Sequence, residues 1–94
     1  MVIGVCTIDL DIPMSTSLKD KRQVIRSVTS RMRQKFNVAV SEVERQDARQ
    51  TTILAVVSVS NDRDYVHGLL SRAVEWLEKT RLDCVLVDYY IELI

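Results

Sequence analysis

Apolar residues recur at every second position in some stretches of this 94-residue chain and at every third or fourth in others, and the order of those stretches leaves few folds open. From Val2 to Ile12 the even positions carry Val2, Cys6, Ile8, Leu10 and Ile12, against Ile3, Val5, Thr7, Asp9 and Asp11 at the odd ones. A period of two is a strand. Pro13 has no N–H for a ladder and disfavours helix in the residue before it, and Ser15, Thr16 and Ser17 continue the turn. Ser17 with Asp20 three residues later reads as a helix start. Leu18, Ile25, Val28, Met32 and Phe36 then keep helical spacing, which predicts a helix from about Leu18 to Lys35. Asn37 to Val43 and the β-branched run Thr51 to Ser60 alternate again and predict a hairpin. Its connection, Glu44 to Gln50, has neither Gly nor Pro, so a longer mobile loop is expected in place of a tight turn. Asn61 supplies an N-cap, with Asp62 and Asp64 in the first turn of a second helix running from about Asp62 to Thr80. Val66, Leu69, Leu70, Ala73, Val74 and Leu77 form its apolar stripe, and Leu82 to Ile94 alternates as a last strand.

The order β-α-β-β-α-β, in two right-handed halves, is that of a ferredoxin-like α+β sandwich. We therefore expect a single domain over residues 1–94, a four-stranded antiparallel-type sheet with both helices on one face. Several strands are apolar on both sides: Ile53, Val57 and Val59 stand against Leu54 and Val56. A second apolar face needs cover, so the sequence predicts a homo-oligomer formed through the apolar sheet face.

Composition excludes several function classes. Thirteen Lys and Arg balance thirteen Asp and Glu, so any nucleic-acid case rests on local clustering. The first residues lack the basic segment and cleavage site of a secretory signal, and the longest uncharged run, Gln50 to Asn61, is well short of a membrane helix. A cytoplasmic location without membrane partners is expected. Cys6 and Cys84 are far apart, with no metal-ligand spacing, and read as reduced, mostly buried thiols. No cofactor motif is present. Asp9 and Asp11 share one strand face but have no further ligand or phosphate cradle nearby, and read as solubilising residues. His67, Asp64 and Ser71 are neighbours on one helix, without a nucleophile turn or oxyanion donor. Pro13 to Ser17 has no glycine for an anion-binding loop. The chain is expected not to be an enzyme.

The first helix is the exception to the even charge. Lys19, Lys21, Arg22, Arg26, Arg31, Arg33 and Lys35 lie on it, with Asp20 as the one acid. At ~100° per residue Arg22, Arg26 and Arg33 fall within an arc of about 40°, and Lys19 lies beside it. Like charges so close repel, and a merely solvated face would intersperse Glu. The functional reading is a strip that tracks a phosphate backbone through Lys19, Arg22, Arg26 and Arg33, since guanidinium groups are planar bidentate donors. The structural reading is that these cations pair with carboxylates elsewhere in the fold or in a partner. The first and third strands carry no aromatic, and Tyr89 and Tyr90 point to opposite sides of the last one, so a base-stacking sheet is not supported. Shape and phosphate would dominate any RNA contact.

The segments Ser17 to Arg22 (SLKDKR), Lys35 to Val43 (KFNVAVSEV), Gln46-Asp47 and Ser60 to Asp62 (SND) together resemble the YlxP-like family of small uncharacterised bacterial proteins, over nearly the whole chain. The resemblance implies a ferredoxin-like fold, a cytoplasmic location and genes set among those for translation and ribosome maturation, with no enzymatic activity established. The family's recurrent polar residues fall on Lys19, Lys21, Arg22, Asn37, Glu42, Gln46, Asp47, Asn61 and Asp62. Ala48-Arg49 replaces a common Leu-Trp pair, and Ala55 a common Gly. Ser17 and Asn61 are expected as helix caps, and Asn37 as a left-handed helix end. The function expected is that of an accessory protein binding structured RNA, ribosomal RNA or the ribosome itself. The alternative is a homo-oligomeric module that meets a protein or small effector through its sheet face or the Glu44 to Gln50 loop.

Overall fold

The computed structural model describes residues 1–81 and 83–94. Its elements are β1 (Val2–Asp11), α1 (Leu18–Lys35), β2 (Ala39–Glu44), β3 (Thr51–Ser60), α2 (Arg63–Thr80) and β4 (Val85–Leu93). The four strands form one antiparallel sheet in the order β2-β3-β1-β4, the ferredoxin-like arrangement that the alternation of periods predicted. β1 is central and pairs with β3 along its whole length, from Val2 opposite Ser60 to Asp11 opposite Thr51.

The even residues of β1 and β3 face the helices. Cys6, Ile8 and Leu10 of β1, Leu54 and Val56 of β3, and Val40 of β2 join Val28 and Met32 of α1 and Val66, Leu70, Ala73, Val74 and Leu77 of α2 in one core. Both helices thus cover the same side. Burial pushes the Cys6 thiol up to about 11, so it packs as a neutral group. At Gly4, α2 packs tightly on β1: a Cβ there would overlap Val66 and lie 2.8 Å from Leu70 Cδ1. A side chain at this position has no room.

The helix ends follow local chemistry. Ser17 Oγ accepts from Asp20 N–H at 3.1 Å, the cap expected for α1. Asp20 Oδ2 reaches back to Thr16, accepting from its hydroxyl at 2.6 Å and its N–H at 3.1 Å. These bonds favour the ionised form and hold the Asp20 carboxyl below its ordinary value. The second cap is Asp62 and not Asn61. Asp62 Oδ1 accepts from the N–H groups of Asp64 and Tyr65 at 2.9 and 3.2 Å, and an ionised acceptor at a helix N-terminus outcompetes an amide one residue earlier. Asn37 does not end α1 in the left-handed region: the C-cap Phe36 is extended, and Arg45, at φ 65°, is the non-glycine residue with positive φ among those described. β2 begins at Ala39, two residues after Asn37, because Val38 N–H turns back to Phe36 O at 2.9 Å. Leu82, expected to open the last strand, lies outside the described residues, and β4 begins at Val85.

Candidate nucleic-acid interface

The sequence places seven cations on α1, and the structure divides them into two kinds. Lys21 is not at the surface. Only 1% of it is exposed, and its ammonium uses all three donors: Nζ donates to Arg45 O and Ala48 O at 2.6 Å each and meets Glu42 Oε2 at 3.0 Å. Glu42 Oε2 also accepts from the fully buried Thr52 hydroxyl at 2.6 Å. The network ties α1 to β2, to β3 and to the loop between them. Gln50 secures the far end of that loop by donating from Nε2 to Pro13 O and Ser15 O at 3.2 and 3.0 Å. The segment expected as a mobile loop is therefore anchored from both sides. Lys21 and Glu42, two of the polar positions carried by the family resemblance, thus have a structural role. The signal was present: Lys21 precedes Ile25 by four residues and Val28 by seven, in the middle of the apolar stripe.

Lys19, Arg22, Arg26 and Arg33 are all exposed. Arg33 Nη2 donates to Val40 O on β2 at 2.6 Å, which shows that this side of α1 runs along the β2 edge. No carboxylate of the described residues lies within ion-pair distance of Lys19, Arg22, Arg26 or Arg33; the paired cations are Lys21, Arg45, Lys79 and Arg81. The strip is thus not neutralised within the described chain. On the opposite side of α1, Arg81 donates to Ser27 Oγ at 2.8 Å and grips Asp83 through two bonds of 2.9 and 2.6 Å. That bidentate contact holds the Asp83 carboxyl below its ordinary range.

The helix-free face of the sheet has the other sign. Glu44, Ile53, Asp9 and Asp88 follow one another straight across β2, β3, β1 and β4. With Thr7, Tyr89 and Tyr90 they border an open concavity of about 320 Å³. Arg45 extends over this row and donates from Nη1 to Asp9 Oδ1 at 2.9 Å and to Thr51 Oγ1 at 2.8 Å. Asp9 is therefore half of an ion pair as well as a solubilising residue. A carboxylate row repels phosphate, and β1 and β3 carry no aromatic to stack a base. The basic strip and this face lie on different sides of the molecule, which segregates charge in a chain that is neutral as a whole. Toward the other end of the strands the same face turns apolar, with Ile3, Val5 and Val57 half-buried and Val59 exposed. No helix is long and apolar enough to cross a membrane among the described residues.

Comparison with known proteins agrees with the resemblance read from the four motifs. The chain is 32% identical over 77 residues to the uncharacterized protein YlxP of Bacillus subtilis, an alignment covering 82% of this chain and 84% of that protein. The model of the family described as "Protein of unknown function (DUF503)" matches residues 3–91, from the first strand through most of the last, and the chain belongs to that family.

Proposed function

We propose that this protein is a non-enzymatic, cytoplasmic accessory factor that binds structured RNA weakly through Lys19, Arg22, Arg26 and Arg33. The observation that carries the reading is the unneutralised strip on α1: cations share one exposed side and none of the described carboxylates pairs with them. A regular helix holding cations in line suits the regular spacing of a phosphate backbone. Arg33 is partly pre-positioned by its bond to Val40 O, and its remaining N–H groups are free to face a phosphate. The acidic row on the open sheet face would orient an approaching polyanion toward α1. Recognition through phosphate and shape fits the lack of a stacking platform.

The test is fluorescence anisotropy with ribosomal RNA fragments at about 50 to 200 mM salt, comparing wild type with the variant in which all four residues are Ala. Micromolar binding with a slope of log K against log salt of roughly −3 to −4, lost in the variant, is the expected result. Absence of binding at the lowest salt, or binding that the variant retains, overturns the reading.

A further inference from the structure

The two edges of the sheet are built differently. β2 is six residues long, contains Glu42 and Glu44, has its ladder with β3 shifted between them, and exposes a Val40 carbonyl that Arg33 occupies. Short length, charge and irregularity are how edge strands resist pairing with other chains. β4 is nine residues long; its two acids, Asp88 and Glu92, stand at positions paired directly with β1 residues, and its ladder shift is confined to the segment before Asp88. Val85 and Val87 are each 53% exposed and Tyr90 55%. Such an edge is a template for another strand.

Its outward groups can be identified from the ladder. Ile3 and Ile94 exchange both bonds, N–H to O, at 3.0 and 2.7 Å. In the antiparallel register with β1, the bonded residues of β4 are therefore Glu92, Tyr90 and Asp88, and Tyr89, Ile91 and Leu93 turn their backbone groups away from the sheet. Tyr89 N–H donates to the adjacent Asp88 carboxylate at 2.8 Å, an exposed bond that strand pairing exchanges for a carbonyl of the added strand. The ladder shifts between Asp9 and Leu10, so Asp88 to Leu93 is the regular part of the strand.

We propose that β4 is a self-pairing edge, on which two copies of this chain join antiparallel about a two-fold axis through Ile91 to make a continuous eight-stranded sheet. The acids select the register, and the outward run Tyr89, Ile91 and Leu93, which sets apolar residues on apolar ones about its own centre, selects a second copy. An axis through Tyr90 would set Asp88 directly opposite the other copy's Glu92, twice over, and like charges directly opposite are destabilising. An axis through Ile91 sets Glu92 opposite Tyr90, so that no two acids stand directly opposite each other. It also stacks apolar pairs, Ile91 on its own copy and Tyr89 on Leu93, and uses only the regular part of the strand. An axis through Tyr89 would run the pairing through the shifted segment. About six residues a side, at ~3.4 Å each, give a contact roughly 20 Å long. The total area buried is then on the order of 1,000 Å², the low end for a specific interface, and the dimer forms with micromolar affinity. The pairing does not use the basic strip on α1 and is independent of RNA.

The test is amide hydrogen exchange by NMR on the unmodified chain from low micromolar to about 1 mM, with sedimentation velocity over the same range. Ile91 and Leu93 amides should exchange at least about tenfold more slowly at the high end as the mass doubles. Tyr89→Pro removes an N–H that β1 does not use and should give a monomer. Val87→Lys, outside the paired stretch, should leave the dimer intact. A monomer at every concentration overturns the proposal. So does a dimer in which the Ile91 and Leu93 amides stay unprotected, as contact through the flat sheet face would give, or one that survives Tyr89→Pro.

Discussion

Lys21 shows what a single side chain decides here. An ammonium at 1% exposure is stable only because two carbonyls and a carboxylate fill its three donors, and each partner comes from the hairpin beyond its helix. Lys21→Met would keep the apolar stem but strand the two loop carbonyls and leave Glu42, 19% exposed, without its cation. Breaking a buried pair on one side typically costs 3–5 kcal/mol. Glu42 retains some water, so we expect about 3 kcal/mol, read as a lower urea midpoint at unchanged slope. A cost under about 1 kcal/mol would mean that the hairpin is not held by this contact. The residue type alone misleads at this position, because a Lys in a run of Lys and Arg reads as surface, whereas its place in the 3.6-residue pattern reads as core. Pattern outweighs type because a buried cation needs partners from distant sequence, and which carbonyls will face it is not written locally.

Among the elements, both helices and the two central strands were legible almost to the residue, since each repeats one period for ten residues or more. The ends were less so. Asn61 and Asp62 are both competent caps by residue type, and it is the charged Asp62 side chain that takes the free N–H groups. Ser17→Ala and Asp62→Ala should each cost about 1 kcal/mol, while Asn61→Ala should be close to neutral in thermal unfolding. Equal losses at Asn61 and Asp62 would reverse the assignment of the cap. The hairpin loop shows a similar limit. Gly is the usual means to a left-handed turn residue, and its absence suggested a loose connection, but Arg45 takes that conformation while its carbonyl is bonded to Lys21 and its guanidinium to Asp9 and Thr51. Tertiary bonds offset a local cost that sequence patterns count as prohibitive. On the basic strip, Arg33's bond to Val40 O, which covers the β2 edge, is a contact that spacing along α1 does not announce.

At the scale of the molecule, Gly4 lets α2 sit close against the sheet. Gly4→Ala would normally favour a strand, yet here the new methyl must displace Val66 and Leu70, and over-packing of this kind costs about 1–3 kcal/mol. A stabilised Gly4→Ala protein in thermal unfolding would mean that α2 is free to lift from the sheet. The central place of β1 also bears on how the chain is made. It is the first strand in chain order, but its partners β3 and β4 begin at Thr51 and Val85, so it cannot enter a ladder until most of the sequence exists. During synthesis on a ribosome its apolar sides wait uncovered while α1 and β2 emerge, and the sheet closes from its middle only near the end. Any factor that meets the nascent chain before then meets β1 as an unpaired strand.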